Sequence, residues 1–445
     1  MKLVFGNRVE FDSFNTIFSK ECLNTAKIIA KTNLDNLLPY IVPALLLNYV
    51  SCSSFTTRIE KLRDKILSFV LSLFEPNDDR IVLLCKHLMM RSPEKVFLRK
   101  SAAHIVYSLT KYSVDAQLII NFALKLGKST KIRLRAFALY LLQIYIVNIN
   151  ELVSVLGSES SEVALEIADI VKARLSDPAP TVRAIALDCL ASIIENLNDN
   201  QYGVVIKHVI DSSGSLETVL RHRIVEEKFS VRKSALLCLT QIVISNARSI
   251  TPIMISLISG RIRDRVVSIR TLAIKSLNSA IERFPNNELL NKTWLDSVLP
   301  SILDDETSVQ FEAYNSVSKY IFNPLIEGDI CYFPLIMTNQ HFDFMRNIFV
   351  FCKQKSIPLS KISNAFSKIL LNNLKNNDED VNYIKSIWKL VSILSSVVPS
   401  HFKSSLYYDL WNEYTNLPPE YFLILANLNF KNDEIKEDLT AFLNS

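Results

Sequence analysis

Glycine is scarce in this chain, with 7 in 445 residues, and there are 15 prolines. Collagen and low-complexity disorder need far more of both. The phosphate and dinucleotide loops of α/β enzymes spend glycines on backbone angles that other residues do not reach, so the scarcity argues against a large α/β enzyme. Long apolar runs are missing too. The nearest, Leu37 to Val50, is about 14 residues, is interrupted by Pro43 and Asn48, and reads as a buried helix rather than a membrane span. Met1 to Phe14 carries Arg8, Glu10 and Asp12 and has no signal-peptide core. The seven cysteines are scattered with no C-x-x-C, as expected of reduced core thiols in a soluble cytosolic or nuclear protein.

Catalytic motifs are lacking as well. Gly127-Lys128-Ser129 looks like the end of a phosphate loop, but Phe122 stands where that loop needs its first glycine. Histidines 87, 104, 208, 222, 341 and 401 form no H-E-x-x-H and no i, i+4 pair, and each reads as a packing residue rather than a metal ligand. There is no G-x-S-x-G elbow. The expectation is no enzyme, with no catalytic residue, no cofactor and no metal.

What the chain does have is 49% hydrophobic residues and a repeat. Asp177-Pro-Ala-Pro180-Thr-Val182-Arg183 is followed by Ala186-Leu187, Leu190 and Ile193. The pattern returns around Leu98-Arg99, Leu134-Arg135, Val231-Arg232, Ile269-Arg270 and Val309-Gln310, each followed three residues later by alanine. The markers lie 36, 48, 49, 38 and 40 residues apart, a period belonging to HEAT or armadillo arrays. Within one unit, Ser92-Pro93, Asp177-Pro178 or Asp304-Asp305 breaks one helix and places oxygens near the start of the next. The branched residue, the alanine and the following leucine share a helical face. The alanine lets a partner helix approach closely, and neighbouring hairpins must stack to bury that face. The fold class is therefore all-α, a HEAT-repeat α-solenoid. The expected divisions are an N-terminal helical segment over 1–84, the regular array over 85–325, and irregular HEAT-like helices over 326–445. The run Asn372 to Asp380 and Pro418-Pro419 read as loops.

Net charge is only +5, but unevenly spread. Residues 91–135 carry 10 Lys/Arg against Glu94 and Asp115, and residues 221–283 carry 12 against four acids; residues 284–445 hold 13 basic and 19 acidic side chains. Two basic blocks suit a polyanion. Arg99, Arg135, Arg183, Arg232 and Arg270 recur at one repeat position, so they read as a structural ladder on turn acids of neighbouring units, with phosphate contact as the alternative. The candidates for DNA lie off that position: Lys128, Lys131, Arg133, Arg221, Arg223, Lys233, Arg261, Arg263 and Arg265. For these a solvated face and phosphate binding stand side by side. No base-reading module is visible, so any binding would be to the backbone of double-stranded DNA regardless of sequence. The aromatics of 332–351 are either irregular core or a docking groove.

Pro180-Thr-Val-Arg-Ala-Ile-Ala-Leu187, Phe229-Ser-Val-Arg-Lys-Ser-Ala-Leu236 and Asp264 to Leu277 resemble the HEAT core of the condensin D-type HEAT proteins. Thr293-Trp294-Leu295, Val298-Leu-Pro300 and the repeat ending Ser308-Val-Gln310 resemble the D-3 member from condensin II in particular. The likeness runs over about residues 85–325, and family members are much longer, so the chain resembles a fragment, a truncated or a reduced form. The resemblance implies a non-enzymatic scaffold of condensin II with a kleisin, two SMC ATPases and a second HEAT protein as partners. It further implies contact with DNA or chromatin, nuclear and chromosomal placement, and a role in mitotic condensation; it implies no membrane. The alternatives are a transport or trafficking scaffold of the same fold, or a microtubule-binding HEAT array. The latter would place a tryptophan at turn tips near the N-terminus, whereas the first tryptophan is Trp294.

Overall fold

The computed structural model describes residues 20–49, 65–75, 78–113, 115–148, 151, 160–196, 205, 214–245, 250–329, 331–376, 381–403, 407 and 417–428. Among them there are helices and turns and no strand. The chain divides into two compact units, 1–245 and 246–445.

In the first unit α1 (Lys20–Thr32) and α2 (Ile41–Tyr49) precede four helical hairpins. These are α3 (Arg80–Met90) with α4 (Val96–Thr110), α5 (Ala116–Gly127) with α6 (Ile132–Val147), α7 (Ser160–Arg174) with α8 (Pro180–Asn196), and α9 (Gly214–Ile224) with α10 (Phe229–Ser245). Each hairpin packs internally, and the second helices lie side by side in the order α4, α6, α8, α10. The middle of that row is apolar on nearly all sides. In α6, Leu134, Phe137, Leu141, Leu142, Tyr145 and Ile146 are all buried, because neighbours flank it on both sides and α5 backs it.

The alanine three residues after each marker shows why the repeat is spelled as it is. Ala102, Ala138, Ala186, Ala235, Ala273 and Ala313 are all wholly buried, as are the residues seven after the marker: Val106, Leu142, Leu190, Leu239, Leu277 and Val317. A larger side chain at the alanine would hold the helices apart. Gly127 is a second close approach. A Cβ there would sit 2.8 Å from Ile170 Cγ2 of α7, so the glycine of the supposed phosphate loop serves helix packing.

The second unit begins in the same style, with α11 (Pro252–Ser259), α12 (Val267–Arg283), α13 (Glu288–Val298) and α14 (Thr307–Val317). Short 3₁₀ turns over Gly260–Arg263 and Leu299–Leu303 join the pairs. After Gln310 the style changes. A π-helical turn over Ser318–Phe322 leads to α15 (Asn339–Gln354), α16 (Ser360–Asn376), α17 (Val381–Val397) and α18 (Pro419–Asn427). The expected loop from Asn372 is therefore helical as far as Asn376, and 377–380 lie outside the described residues. Pro419 opens α18 from its first position, where a proline lacks nothing the helix needs.

Aromatics fill the second unit. Trp294 is fully buried and donates its indole N–H to Asn278 Oδ1 at 2.8 Å. Its ring lies 4.8 Å from Phe333, and Phe322 stacks on Phe349 at 5.8 Å. Phe342, Phe349 and Phe351 are buried, with Tyr332 exposed, so most of the 332–351 cluster is core. Cys85, Cys189, Cys238, Cys331 and Cys352 are buried free thiols. Burial pushes each thiol upward, Cys331 to about 11.

Candidate functional site

The five marker arginines lie in the first turns of successive second helices, and each bends back over the turn before its own helix. Arg99 donates to the carbonyls of Pro93 and Glu94. Arg135 donates to Ser129 and Thr130, Arg183 to Asp177 and Pro178, and Arg232 to Glu226 and Glu227. Arg270 reaches the carbonyl of Asp264, and Gln310 that of Asp304, at 2.7 Å. The receiving carbonyl is always five or six residues back. Such a turn leaves helix-end carbonyls unfilled, and a long donor from the next helix fills them.

Arg135, Arg183 and Arg270 also reach into the next repeat. Arg135 forms two parallel bonds to Asp177, Nε at 2.7 Å and an Nη at 2.8 Å. Arg183 pairs in the same two-pronged way with Glu226, and Arg270 bonds Asp304 at 2.9 Å. The acid has a third task, because Asp177, Asp264 and Asp304 each accept the backbone N–H two residues ahead, at 2.9 Å. One carboxylate thus shapes its own turn and receives the preceding repeat's arginine. Burial alone would push the Asp177 carboxyl up, but hydrogen bonds from Arg135 and the Ala179 N–H, with the charge of Arg174, hold it below its ordinary value. Glu226 is lowered likewise against burial by Arg183 and Arg223. Sequence reasoning named the arginines but not Glu226. The signal was there: an acid six residues before the next marker, at 177, 226, 264 and 304.

The nine cations proposed for DNA separate by environment. Lys128, Lys131 and Lys233 are exposed, as are Arg263 and Arg265. Arg133 is half-buried and donates to the Met90 carbonyl at 3.3 Å. Arg223 is half-buried too, bonding the Leu175 carbonyl and Glu226, each at 3.0 Å. Arg221 is exposed beside Glu217 at 2.9 Å, one turn away on α9. Arg261 pairs with Asp264 at 3.4 Å. Within the first unit, Lys128 and Lys131 flank the α5–α6 turn and Lys233 lies in the first turns of α10. Arg263 and Arg265 flank the turn before α12 in the second unit.

His341 is a buried brace. Its Nδ1 accepts the Thr338 N–H at 3.0 Å, which leaves the hydrogen on Nε2, facing Asp296 at 2.8 Å. His87 is half-buried, His104, His222 and His401 are exposed, and His208 lies outside the described residues. Among the described residues no cluster of three His, Cys, Asp or Glu could hold a metal, and no helix is long and apolar enough to cross a membrane.

No protein-family model matches the chain. The CAP-D3 component of the condensin-2 complex of Arabidopsis thaliana is 28% identical over 263 residues, covering 55% of this chain and 20% of its own length. The D3-L component of the condensin-2 complex of Xenopus laevis is 25% identical over 329 residues, covering 59% and 22%. This chain is similar to the D3 components of condensin-2. The resemblance read from the repeat signatures is borne out, and the chain spans about a fifth of the length of the curated relatives it matches. A crystal structure of importin beta superposes with a TM-score of 0.51 at 14% identity, covering 94% of this chain and 54% of that one. That likeness concerns fold alone, and it agrees with the expected helical-repeat solenoid. The condensin-2-like signature at Trp294 is fully buried, so it records repeat packing rather than a contact surface.

Proposed function

We propose that this chain is a non-catalytic HEAT-repeat scaffold of a condensin II complex, working with a kleisin, two SMC ATPases and a second HEAT protein on chromosomes in the nucleus. The observation that carries the reading is the similarity to the D3 components of condensin-2 over more than half of the chain. In support, the conspicuous arginines are spent on turns and neighbouring repeats. Residues 85–325 serve as the regular array, flanked by the helices of 1–84 and 326–445. Co-purification with the cognate kleisin tests the assignment: retention through a gel-filtration step is expected, and loss of the kleisin at micromolar concentration removes it.

Within that scaffold we assign duplex DNA to the exposed cations, namely Lys128, Lys131 and Lys233 in one unit and Arg263 and Arg265 in the other. Arg133, Arg221, Arg223 and Arg261 belong to the same surfaces, but part of their capacity goes to the carbonyls and acids described above. Binding through phosphates alone releases counterions, so affinity should fall on the order of a thousandfold between low and moderate salt, whatever the sequence. Arg263→Glu with Arg265→Glu leaves the Arg261–Asp264 pair in place. It should weaken DNA binding while the helical dichroism is retained; unchanged affinity takes DNA away from this turn.

A further inference from the structure

The second helices of the first unit open on a recurring apolar residue that neither the ladder nor the DNA reading uses, beside lysines of which the DNA reading takes only Lys131 and Lys233. Three residues before each marker stands Val96, Ile132, Pro180 or Phe229. Val96 and Ile132 are each 52% exposed and Phe229 is 56% exposed, although all three are first residues of helices that bury most of their apolar positions. Each is preceded by an exposed lysine, Lys95, Lys131 and Lys228. Lys100 and Lys233 follow Val96 and Phe229 by four residues, on the same helical face. The second unit does not repeat this. There Val266-Val267 and Glu306-Thr307 hold the corresponding places.

Because α4, α6, α8 and α10 pack side by side, with matched positions in contact (Thr110 with Tyr145, Arg135 with Asp177, Arg183 with Glu226), these pairs form a row along one edge of the unit. Neighbouring helices lie roughly 10 Å apart. An extended peptide advances roughly 3.3 Å per residue, so about three of its residues match one step of the row. Each step offers an apolar contact beside an ammonium group, broken only at Pro180. The exposed acids nearby are Glu94 and Glu227, while Glu226 is held by Arg183 and Arg223. The edge therefore keeps an excess of positive charge.

We propose that this edge docks an extended acidic segment of a partner protein, with an apolar side chain at about every third residue and aspartate or glutamate between. Charge complementarity selects the acids. The three exposed apolar side chains select a peptide over a nucleic acid, because a phosphodiester backbone gives them nothing to pack against. The proposal goes beyond the scaffold reading and does not depend on it.

The test uses the full chain and a fluorescent synthetic peptide built from a repeated Leu-Asp-Glu unit, with a Ser-Asp-Glu repeat of equal length and charge as control. The leucine peptide should bind at least about tenfold more tightly, since each half-exposed side chain gains an apolar partner. The variant V96S/I132S/F229S should erase that preference while leaving affinity for duplex DNA unchanged. K95E/K131E/K228E should lose both peptides. Should the serine variant lose helicity, Phe229→Ser alone carries the test, as the most exposed of the three. Equal binding of the two peptides, no binding of either, or a serine variant that keeps the leucine preference overturns the proposal. So does a row that binds DNA and no peptide, which would mark it as a phosphate surface.

Discussion

The two units build the same joint from different materials, and Gln310 marks the change. In the first unit Arg135 and Arg183 each grip the turn behind and the acid of the next repeat. In the second unit Arg270 still does both, and Gln310 does only the first. An amide is long enough to fill a turn carbonyl but carries no charge for the next acid. The marker position therefore has two separable duties, closing its own turn and tying successive repeats. Past Gln310 the tie is replaced by rings: Phe311 meets Phe351 at 5.3 Å, and Phe322 stacks on Phe349. Up to Gln310 the repeats are stitched along their turns, and past it they are held from inside by aromatic packing.

The sharpest way to break this contrast is at the Arg135–Asp177 rung, whose side chains are 7% and 0% exposed. Asp177→Ala strands a buried guanidinium and removes the acceptor of the Ala179 N–H, so a loss of about 3–5 kcal/mol is expected. Tryptophans 294, 388 and 411 all lie after residue 245, so their fluorescence reports the second unit while circular dichroism reports both. The variant should lower the dichroism transition more than the fluorescence transition. Equal shifts would mean that the stitching is not local to residues 1–245. The same rung sets an acid limit. Asp177 and Glu226 are held below their ordinary values, so their contribution is complete above the unfolded value, about 4, and is lost as the pH falls through the folded one. Stability of the first unit should fall as the pH drops below about 4; stability that does not fall there contradicts the assignment.

How much of this could be read from the sequence depended on how local the cause was. Helix starts, the alanine approach and the role of Arg183 follow from residues within one turn, and their spacing displays them directly. The run from Asn372 reads like a loop because it is polar, yet α16, with Phe366 and Leu370 buried, stays helical through Asn376. The candidate cations were harder. Composition cannot tell Lys131, which faces solvent, from Arg223, which is turned onto the Leu175 carbonyl of the neighbouring repeat. That distinction lies in contacts 48 residues apart.

A smaller effect sharpens the first unit's packing rather than its stitching. Gly127→Val places branched carbons where a single Cβ already meets Ile170 Cγ2 at 2.8 Å. The contact is with a side chain fixed at its own Cβ, so helices α5 and α7 must separate. An overpacking loss of about 1–3 kcal/mol is expected, read as a lower dichroism midpoint in urea. Pairing it with Ile170→Ala should recover part of the loss, and no recovery would place the strain elsewhere.

The smallest effect separates the two duties of the marker within the second unit. Arg270→Ala removes a charge-assisted bond to Asp304 and a turn bond to Asp264, together about 1.5–3 kcal/mol. Gln310→Ala removes only the bond to the Asp304 carbonyl, a neutral one, at about 1 kcal/mol. Both report through the buried Trp294 and Trp388. If the tie to the next repeat matters beyond turn closure, Arg270→Ala must cost clearly more than Gln310→Ala in the same fluorescence titration. Equal costs would mean that the arginines serve their own turns alone, and that the acids six residues before each marker are shaped by backbone geometry rather than by the repeat behind them.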